Sequence, residues 1–161
     1  RCPWATLGKL KHRGPNIVTS LELDPAEMEK RNIHLQQKYA EIEEKEVRYE
    51  EIHCDDAEYL IVAFGSCARI AQKAMEEARA EGIKVGLLRP ITLWPFPSKA
   101  IAERSRQVKG ILTVELNAGQ MVEDVRLAVE CKVPVEYFGR LGGIVPDPDE
   151  VVTALKEKII K

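Results

Sequence analysis

The chain has 161 residues, 45% of them hydrophobic, and its 24 basic and 26 acidic side chains give a formal net charge of −2. This length and apolar content suit a single globular domain with its own core. The balanced charge, with no basic cluster among aromatic residues, argues against nucleic acid as a partner. Because no apolar run approaches the roughly 18 residues of a membrane span and no secretory signal is visible, we expect a cytoplasmic protein without a membrane partner.

The beginning of the chain differs in character from the rest. Arg1-Cys2-Pro3-Trp4 shows neither an initiator methionine nor periodicity, which indicates the interior of a longer polypeptide. Asp24-Pro25-Ala26-Glu27 predicts a helix start, because an N-cap carboxylate precedes proline at the first helical position. A charged helix of about twenty residues with a narrow apolar strip should follow and lie on a surface. We therefore predict an irregular arm and charged helix over residues 1–46 and an α/β domain over residues 47–161.

Strand and helix patterns alternate from Val47 onward. Residues 47–52 alternate apolar and polar side chains like an edge strand, whereas residues 59–64 form a continuous apolar run typical of a buried strand. The later predicted elements are helix 67–80, strand 83–88, helix 98–108, strand 111–116, helix 119–130, strand 134–138 and a last helix from Asp147. Crossovers of this length require mostly parallel strands, so we predict an α/β sheet of about five strands with helices on both faces.

Side chains that follow parallel strands meet at one edge of the sheet, where ligands and partner domains bind. In this chain that edge should carry a thiol, a hydroxyl, two guanidinium groups, a carboxylate and two amides. The candidate interface or ligand residues are Gly65, Ser66, Arg89, Trp94, Glu115, Asn117, Gly119, Gln120 and Arg140, with the thiol from Cys67. Such a mixture can bind many things, and it does not identify the ligand or partner.

Two kinds of chemistry are conceivable where the first buried strand meets its helix. The amide groups around Gly65 and Ser66 could hold a phosphate group. No G-x-G-x-x-G, P-loop lysine or G-x-S-x-G motif accompanies them, so a tight turn capped by Ser66 is the favoured interpretation. The helix dipole would lower the pKa of Cys67, yet no histidine lies in the motif to act as a base. A thiol enzyme is therefore the weakest hypothesis.

The other edge loops also allow alternatives. Glu115 and Asn117 could form an acid–base pair, but nothing in the sequence supplies a second carboxylate or a histidine, and helix capping by Asn117 is favoured. Arg140 could meet a carboxylate across an interface or face water. Trp94, in a proline-braced apolar loop, is typical of contacts with another domain.

No metal site and no catalytic residue is predicted. Cys2, Cys54, Cys67 and Cys131 are scattered and form no C-x-x-C pair, so zinc and iron–sulfur sites lack their usual spacing. The segment His53-Cys54-Asp55-Asp56 does bring three ligand types together. A polar turn between two strands explains it better than a metal site does.

Several segments together carry a family resemblance. They are Ala63-Phe-Gly-Ser66, Gly82-Ile-Lys-Val85, Leu93-Trp-Pro-Phe-Pro97, Val114-Glu-Leu-Asn-Ala-Gly-Gln120, and Gly139-Arg-Leu-Gly-Gly143 with Val145-Pro146. In this order they resemble the C-terminal region of the alpha subunit of 2-oxoacid:ferredoxin oxidoreductases, in particular the 2-ketoisovalerate type. The resemblance implies a transketolase C-terminal-like domain, a three-layer α/β/α fold whose first strand is an antiparallel edge strand.

The resemblance also implies a role in a larger enzyme. Such an assembly converts a branched-chain 2-oxoacid, coenzyme A and oxidised ferredoxin to acyl-CoA, carbon dioxide and reduced ferredoxin. Thiamine diphosphate, magnesium and iron–sulfur clusters would be bound by other domains or subunits, and this chain alone is expected to be inactive. Its predicted edge would pack on the pyrimidine-side thiamine domain and on neighbouring subunits. The alternative is a free-standing anion- or nucleotide-binding module that uses Gly65 and Ser66.

Overall fold

The computed structural model describes residues 21–160 together with His12 and Gly14. Contacts between residues divide the chain into two units, residues 1–39 and residues 40–161. Most of the predicted irregular arm lies outside the described residues, so the predicted boundary between residues 46 and 47 stays a prediction. Within the described part of the chain, no helix is both long and apolar enough to cross a bilayer.

The first helix, α1, runs from Pro25 to Lys45. Asp24 caps it as predicted, because its Oδ1 atom accepts hydrogen bonds from the backbone N–H groups of Ala26 at 2.8 Å and Glu27 at 3.2 Å. All of this helix is described, and none of its residues is buried. Its charged side chains therefore form a solvated surface, as the sequence indicated.

The described residues from 40 onward contain a five-stranded sheet, and its strand directions are those expected. The strands are β1 Tyr49–Ile52, β2 Tyr59–Ala63, β3 Val85–Pro90, β4 Ile111–Glu115 and β5 Val135–Gly139, and their order in the sheet is β1-β3-β2-β4-β5. Strand β1 pairs with β3 in antiparallel register, whereas all other pairings are parallel. The predicted mostly parallel sheet with an antiparallel first edge strand is confirmed.

Helices cover both faces of the sheet and make three layers. The helices are α2 Gly65–Ala80, α3 Ser98–Arg104, α4 Met121–Val129 and α5 Pro148–Leu155, which continues into a π-helical turn, Lys156–Ile160. Ile61 of β2 packs with α2 and α5 in one core cluster. Its neighbour Leu60 points to the opposite face and packs with α3 and α4 in a second cluster. Because successive strand residues face opposite sides of the sheet, the continuous apolar run of β2 contributes side chains to both clusters.

This topology creates a switch point at the carboxyl ends of β2 and β4. The chain leaves β2 toward the face that carries α2, and it leaves the adjacent strand β4 toward the face that carries α4. Crevices at such switch points are the usual binding positions of open α/β sheets. The fold therefore places the loops after β2 and β4 next to each other.

Several element boundaries differ from the expectation by one or two residues, and the end of α3 differs by more. Strand β3 is expected over residues 83–88 but comprises Val85–Pro90, because the N–H groups of Gly82 and Ile83 bond back to α2 and the pairing with β1 reaches Pro90. Helix α3 ends at Arg104 rather than near Val108. Just after its last residue, the Ser105 hydroxyl donates a hydrogen bond to the carbonyl of Ala102.

Candidate functional site at the carboxyl edge

We define the carboxyl edge as the loops that follow the four parallel strands, residues 64–67, 91–97, 116–120 and 140–146, together with the strand residues next to them. Every candidate residue named from the sequence lies in these loops or in the last two positions of a strand. The parallel pairing of β2, β3, β4 and β5 brings the loops to one side of the sheet. The role of these residues as an interface or ligand site remains a prediction.

Glu115 is the structural centre of the loop after β4. Its side chain is fully buried at the end of the strand. The carboxylate accepts hydrogen bonds from the N–H groups of Gln120 at 3.2 Å, Met121 at 2.8 Å and Val122 at 3.0 Å, and from the side-chain amide of Asn117 at 3.1 Å. Glu115 thus satisfies the exposed donors at the start of α4 and complements the helix dipole. The expectation that Asn117 caps this helix is wrong.

Asn117 instead shapes the loop itself. Its Oδ1 atom accepts a hydrogen bond from the N–H group of Gly119 at 2.7 Å, which closes a tight turn. Gly119 has φ +99°, a conformation that glycine adopts without strain. The hydroxyl of Tyr137, on the neighbouring strand β5, donates a hydrogen bond to the carbonyl of Asn117. Sequence reasoning missed Tyr137, since nothing local relates it to a loop twenty residues earlier.

The start of α2 is built from backbone rather than from a capping side chain. Phe64 occupies the N-cap position without a side-chain hydrogen bond, and Gly65 has φ +57°. Ser66 is exposed in the first turn of the helix. The prediction that Ser66 caps a tight turn is wrong, because the positive φ of Gly65 makes the turn.

Cys67 does not have the properties of an activated thiol. The side chain is buried, and burial is the main cause that raises the pKa of the thiol, with the negative charge of Glu115 adding to it. From its position at the start of α2, Cys67 was expected to have a pKa lowered by the helix dipole. Desolvation and a nearby like charge outweigh the dipole here, because both disfavour the thiolate.

Both arginines of the edge pair with carboxylates of their own chain. Arg89 Nη1 lies 3.1 Å from Glu50 Oε2 on the adjacent strand β1. Arg140 Nη1 lies 3.4 Å from Glu150 Oε1 at the start of α5. Arg140 was expected either to meet a carboxylate across an interface or to face water, and the structure instead gives it an intramolecular partner. Both pairs are substantially exposed and contribute little stability.

The loop after β3 is held in one conformation by a threonine that the sequence analysis missed. Thr92 Oγ1 accepts a hydrogen bond from the N–H group of Arg48 at 3.0 Å and donates one to the carbonyl of Pro95 at 2.8 Å. The Trp94–Pro95 peptide bond is cis. A groove of about 740 Å³ lies beside this loop, and Tyr49 and Phe96 contribute to its lining.

Exposed apolar side chains concentrate on this edge. Among the described residues of 40–160, eight of the nine exposed large hydrophobic residues are on the carboxyl edge or, for one of them, opposite the end of β3. The eight are Tyr49, Ile91, Leu93, Trp94, Leu116, Leu141, Ile144 and Val145. The ninth, Leu127, lies on α4. The signal in the sequence was apolar residues inside turn-forming segments, such as Leu141 and Ile144 around two glycines.

The polar turn between β1 and β2 lies at the opposite edge and is braced by arginines. Asp56 accepts hydrogen bonds from two guanidinium nitrogens of Arg79, at 2.6 and 3.1 Å, and these bonds are the main cause that lowers the pKa of its carboxyl group. Asp55 lies 3.0 Å from Arg104. Among the described residues, no group of three or more histidine, cysteine, aspartate or glutamate side chains could hold a metal ion.

These features define a three-layer α/β/α domain whose carboxyl edge carries exposed apolar side chains and whose buried carboxylate, Glu115, binds the start of α4. Residues 57–151 match the family described as pyruvate:ferredoxin oxidoreductase core domain II. The chain belongs to this family. The family resemblance inferred from the sequence is confirmed.

Individual relatives agree with the family. The chain is 49% identical, over 96% of its length, to the ketoisovalerate oxidoreductase subunit VorB of Methanothermobacter thermautotrophicus and covers 43% of that protein. It is 30% identical, over 87% of its length, to the 2-oxoglutarate synthase subunit KorA of Archaeoglobus fulgidus and covers 40% of it. The chain therefore spans less than half the length of these curated relatives.

Solved structures support the fold. The 2-oxoglutarate:ferredoxin oxidoreductase from Magnetococcus marinus, with 2-oxoglutarate, coenzyme A and succinyl-CoA bound, matches with a TM-score of 0.72 and 25% identity over 84% of this chain and 24% of that chain. A split-gene transketolase matches with a TM-score of 0.60 and 22% identity over 68% of this chain and 40% of that chain. The expected transketolase C-terminal-like fold is confirmed.

Proposed function

We propose that this chain is a non-catalytic assembly domain of a thiamine-diphosphate-dependent 2-oxoacid:ferredoxin oxidoreductase. The complete enzyme would oxidatively decarboxylate a branched-chain 2-oxoacid such as 2-ketoisovalerate to acyl-CoA. The similarity to VorB, named a ketoisovalerate oxidoreductase subunit, supports this choice of substrate. In the complete enzyme, the chain would hold other domains in place through its carboxyl edge.

The observation that carries the proposal is the cluster of exposed apolar side chains on the carboxyl edge. Leu93, Trp94 and Leu141 are each about half exposed, at 47%, 55% and 57%. Monomeric soluble proteins rarely leave large contiguous apolar patches in water, and such patches commonly mark protein interfaces. We infer that the pyrimidine-side thiamine domain and neighbouring subunits cover this edge.

The chemistry of the edge supports a role without catalysis. The Glu115 carboxylate is buried and accepts four hydrogen bonds from its own chain, so it is not poised to exchange a proton with a substrate. The raised pKa of Cys67 keeps its thiol protonated near neutral pH.

In the part of the chain that the structure describes, no group of three or more histidine, cysteine, aspartate or glutamate side chains is placed to hold a metal ion. We propose that magnesium, iron–sulfur clusters and thiamine diphosphate are held by other domains and subunits. Coenzyme A, ferredoxin and a cytoplasmic location belong to the same proposal for the whole assembly.

A reconstitution titration tests the proposal. The chain is added in increasing amounts to the remaining domains and subunits of the enzyme, and oxidative decarboxylation of 2-ketoisovalerate is measured. We expect no turnover from the chain alone and saturable turnover from the mixture. Turnover by the purified chain alone, or activity of the remaining parts that this chain does not change, would refute the proposal.

Charged substitutions then test the edge within the same titration. Leu93→Asp and Leu141→Asp each place a charge among the exposed apolar side chains of the carboxyl edge, so the concentration of chain that gives half-maximal turnover should rise at least about tenfold. Leu127→Asp is the matched control, because Leu127 is 76% exposed on α4 and away from the edge. Equal effects of all three substitutions would contradict docking through the edge.

A further inference from the structure

Tyr137 contacts the loop after β4 at two places. The residue lies on β5 opposite Thr113 of β4, and its hydroxyl donates a hydrogen bond to the carbonyl of Asn117. Its ring lies beneath Gly119, since a Cβ atom built on that glycine would be 3.6 Å from Tyr137 Cδ2. One side chain on a neighbouring strand therefore supports both the first half and the turn of this loop.

Gly139 provides the space that the Tyr137 hydroxyl occupies. It pairs with Glu115 across the two strands, and it lies two residues from Tyr137, on the same side of the sheet. A Cβ atom on Gly139 would collide with Tyr137 Oη and would lie 2.7 Å from the carbonyl oxygen of Glu115. Any larger residue at this position would displace the hydroxyl from Asn117.

The hydroxyl supplies a contact that the loop does not make within its own segment. Glu115 binds the start of α4, and Asn117 closes the turn on Gly119, so both act locally. The bond from Tyr137 instead ties the loop backbone to β5. The loop held in this way presents the exposed side chains of Leu116 and Gln120 at the carboxyl edge.

We propose that Tyr137 is a positioning residue that holds the loop 116–120 in the conformation required for docking. The inference rests on the proposed function, because it assumes that the carboxyl edge meets a partner. A loop that is ordered before association loses less conformational freedom on binding, which strengthens the complex. The Tyr137 hydroxyl acts through this loop.

Tyr137→Phe tests the role with the smallest possible change, since the ring beneath Gly119 stays and only the hydroxyl is lost. In the reconstitution titration, the half-maximal concentration of chain should rise about three- to tenfold, the effect of one hydrogen bond. The maximum turnover at saturation should be retained. Amide hydrogen exchange of Gly119 and Gln120 in the isolated chain should become faster.

Tyr59→Phe is the matched control. Tyr59 is the first residue of β2 and lies at the edge of the sheet opposite the loop 116–120. Its ring lies 5.8 Å from Lys109 Nζ, and Tyr59→Phe removes a hydroxyl just as Tyr137→Phe does. This variant should keep the half-maximal concentration of the unaltered chain. Gly139→Ala should raise the half-maximal concentration at least as much as Tyr137→Phe, because the added methyl group displaces the hydroxyl and also crowds the backbone carbonyl of Glu115.

The outcomes separate the positioning role from the docking proposal. An unchanged half-maximal concentration for Tyr137→Phe, while Leu93→Asp raises it, would overturn the positioning role alone. The positioning role would also be overturned if Tyr59→Phe raised the half-maximal concentration as much as Tyr137→Phe. It would be overturned as well if Tyr137→Phe lowered the maximum turnover because the variant unfolds. If neither Leu93→Asp nor Tyr137→Phe changes the titration, docking through the edge is refuted, and the positioning role is refuted with it.

Discussion

At the scale of single residues, Glu115 shows how a polar group that looks catalytic in sequence becomes structural in the fold. A carboxylate at the carboxyl end of a parallel strand is a reasonable candidate for acid–base chemistry. The Glu115 carboxylate, however, accepts hydrogen bonds from three backbone N–H groups at the start of α4, and its side chain is fully buried. The partners come from residues five to seven positions later, so only the folded turn shows that the carboxylate is occupied.

The stability of the domain should depend on Glu115. Glu115→Gln keeps the shape of the side chain but replaces one acceptor oxygen with an NH₂ group that faces backbone donors, so the free energy of unfolding should fall by about 1–3 kcal/mol. Urea denaturation followed by circular dichroism measures the change. Glu123→Gln, exposed in the first turn of the same helix, is the control and should change it by less than about 0.5 kcal/mol. A loss for Glu115→Gln no larger than that of the control would contradict the capping role.

At the scale of the elements, the order of strands and helices could be predicted because each has a local signal. The capping residues Asp24 and Asp147 marked two helix starts, and a capping box is present at Asp147. The alternation in residues 47–52 identified an edge strand. Contacts between distant elements could not be predicted: Arg104 reaches Glu51 across 53 positions, and Arg79 reaches Asp56 across 23. Such pairs depend on the packing of the sheet and not on local sequence.

The pair between Asp56 and Arg79 ties the β1–β2 turn to α2 and should make stability depend on pH. Hydrogen bonds from Arg79 lower the pKa of Asp56 in the folded state below its ordinary value of 3.8. The stabilisation is therefore present above that value and is lost as the pH falls through the lower folded pKa. Asp56→Asn should lower the melting temperature at pH 7. The difference in melting temperature between this variant and the unaltered chain should vanish at acid pH.

Thermal melts between pH 7 and pH 2 check this pH dependence. Glu76→Gln, an exposed carboxyl-to-amide change on the same helix, serves as the control and should show a much smaller difference at pH 7. A melting-temperature difference for Asp56→Asn that persists unchanged at the acid end would contradict the role of the ion pair.

At the scale of the whole molecule, the family membership and the distribution of exposed apolar residues both support the proposal that this domain works within a larger assembly. The sequence predicted the edge, and Trp94 was singled out because prolines flank its loop. Leu116, Ile144 and Val145 were not among the candidate interface residues, because the sequence pattern of an apolar loop residue is the same whether its side chain is buried or exposed. Only the folded structure distinguishes these cases, and it leaves all three exposed.

Hydrogen–deuterium exchange of the chain, alone and within the reconstituted enzyme, tests the central claim most directly. Docking through the carboxyl edge predicts that assembly slows exchange in the loops 64–67, 91–97, 116–120 and 140–146. Exchange should change little in the loops of the opposite edge, 53–58, 81–84 and 130–134. Protection confined to the opposite edge, or no protection of the carboxyl edge in an active assembly, would contradict the account.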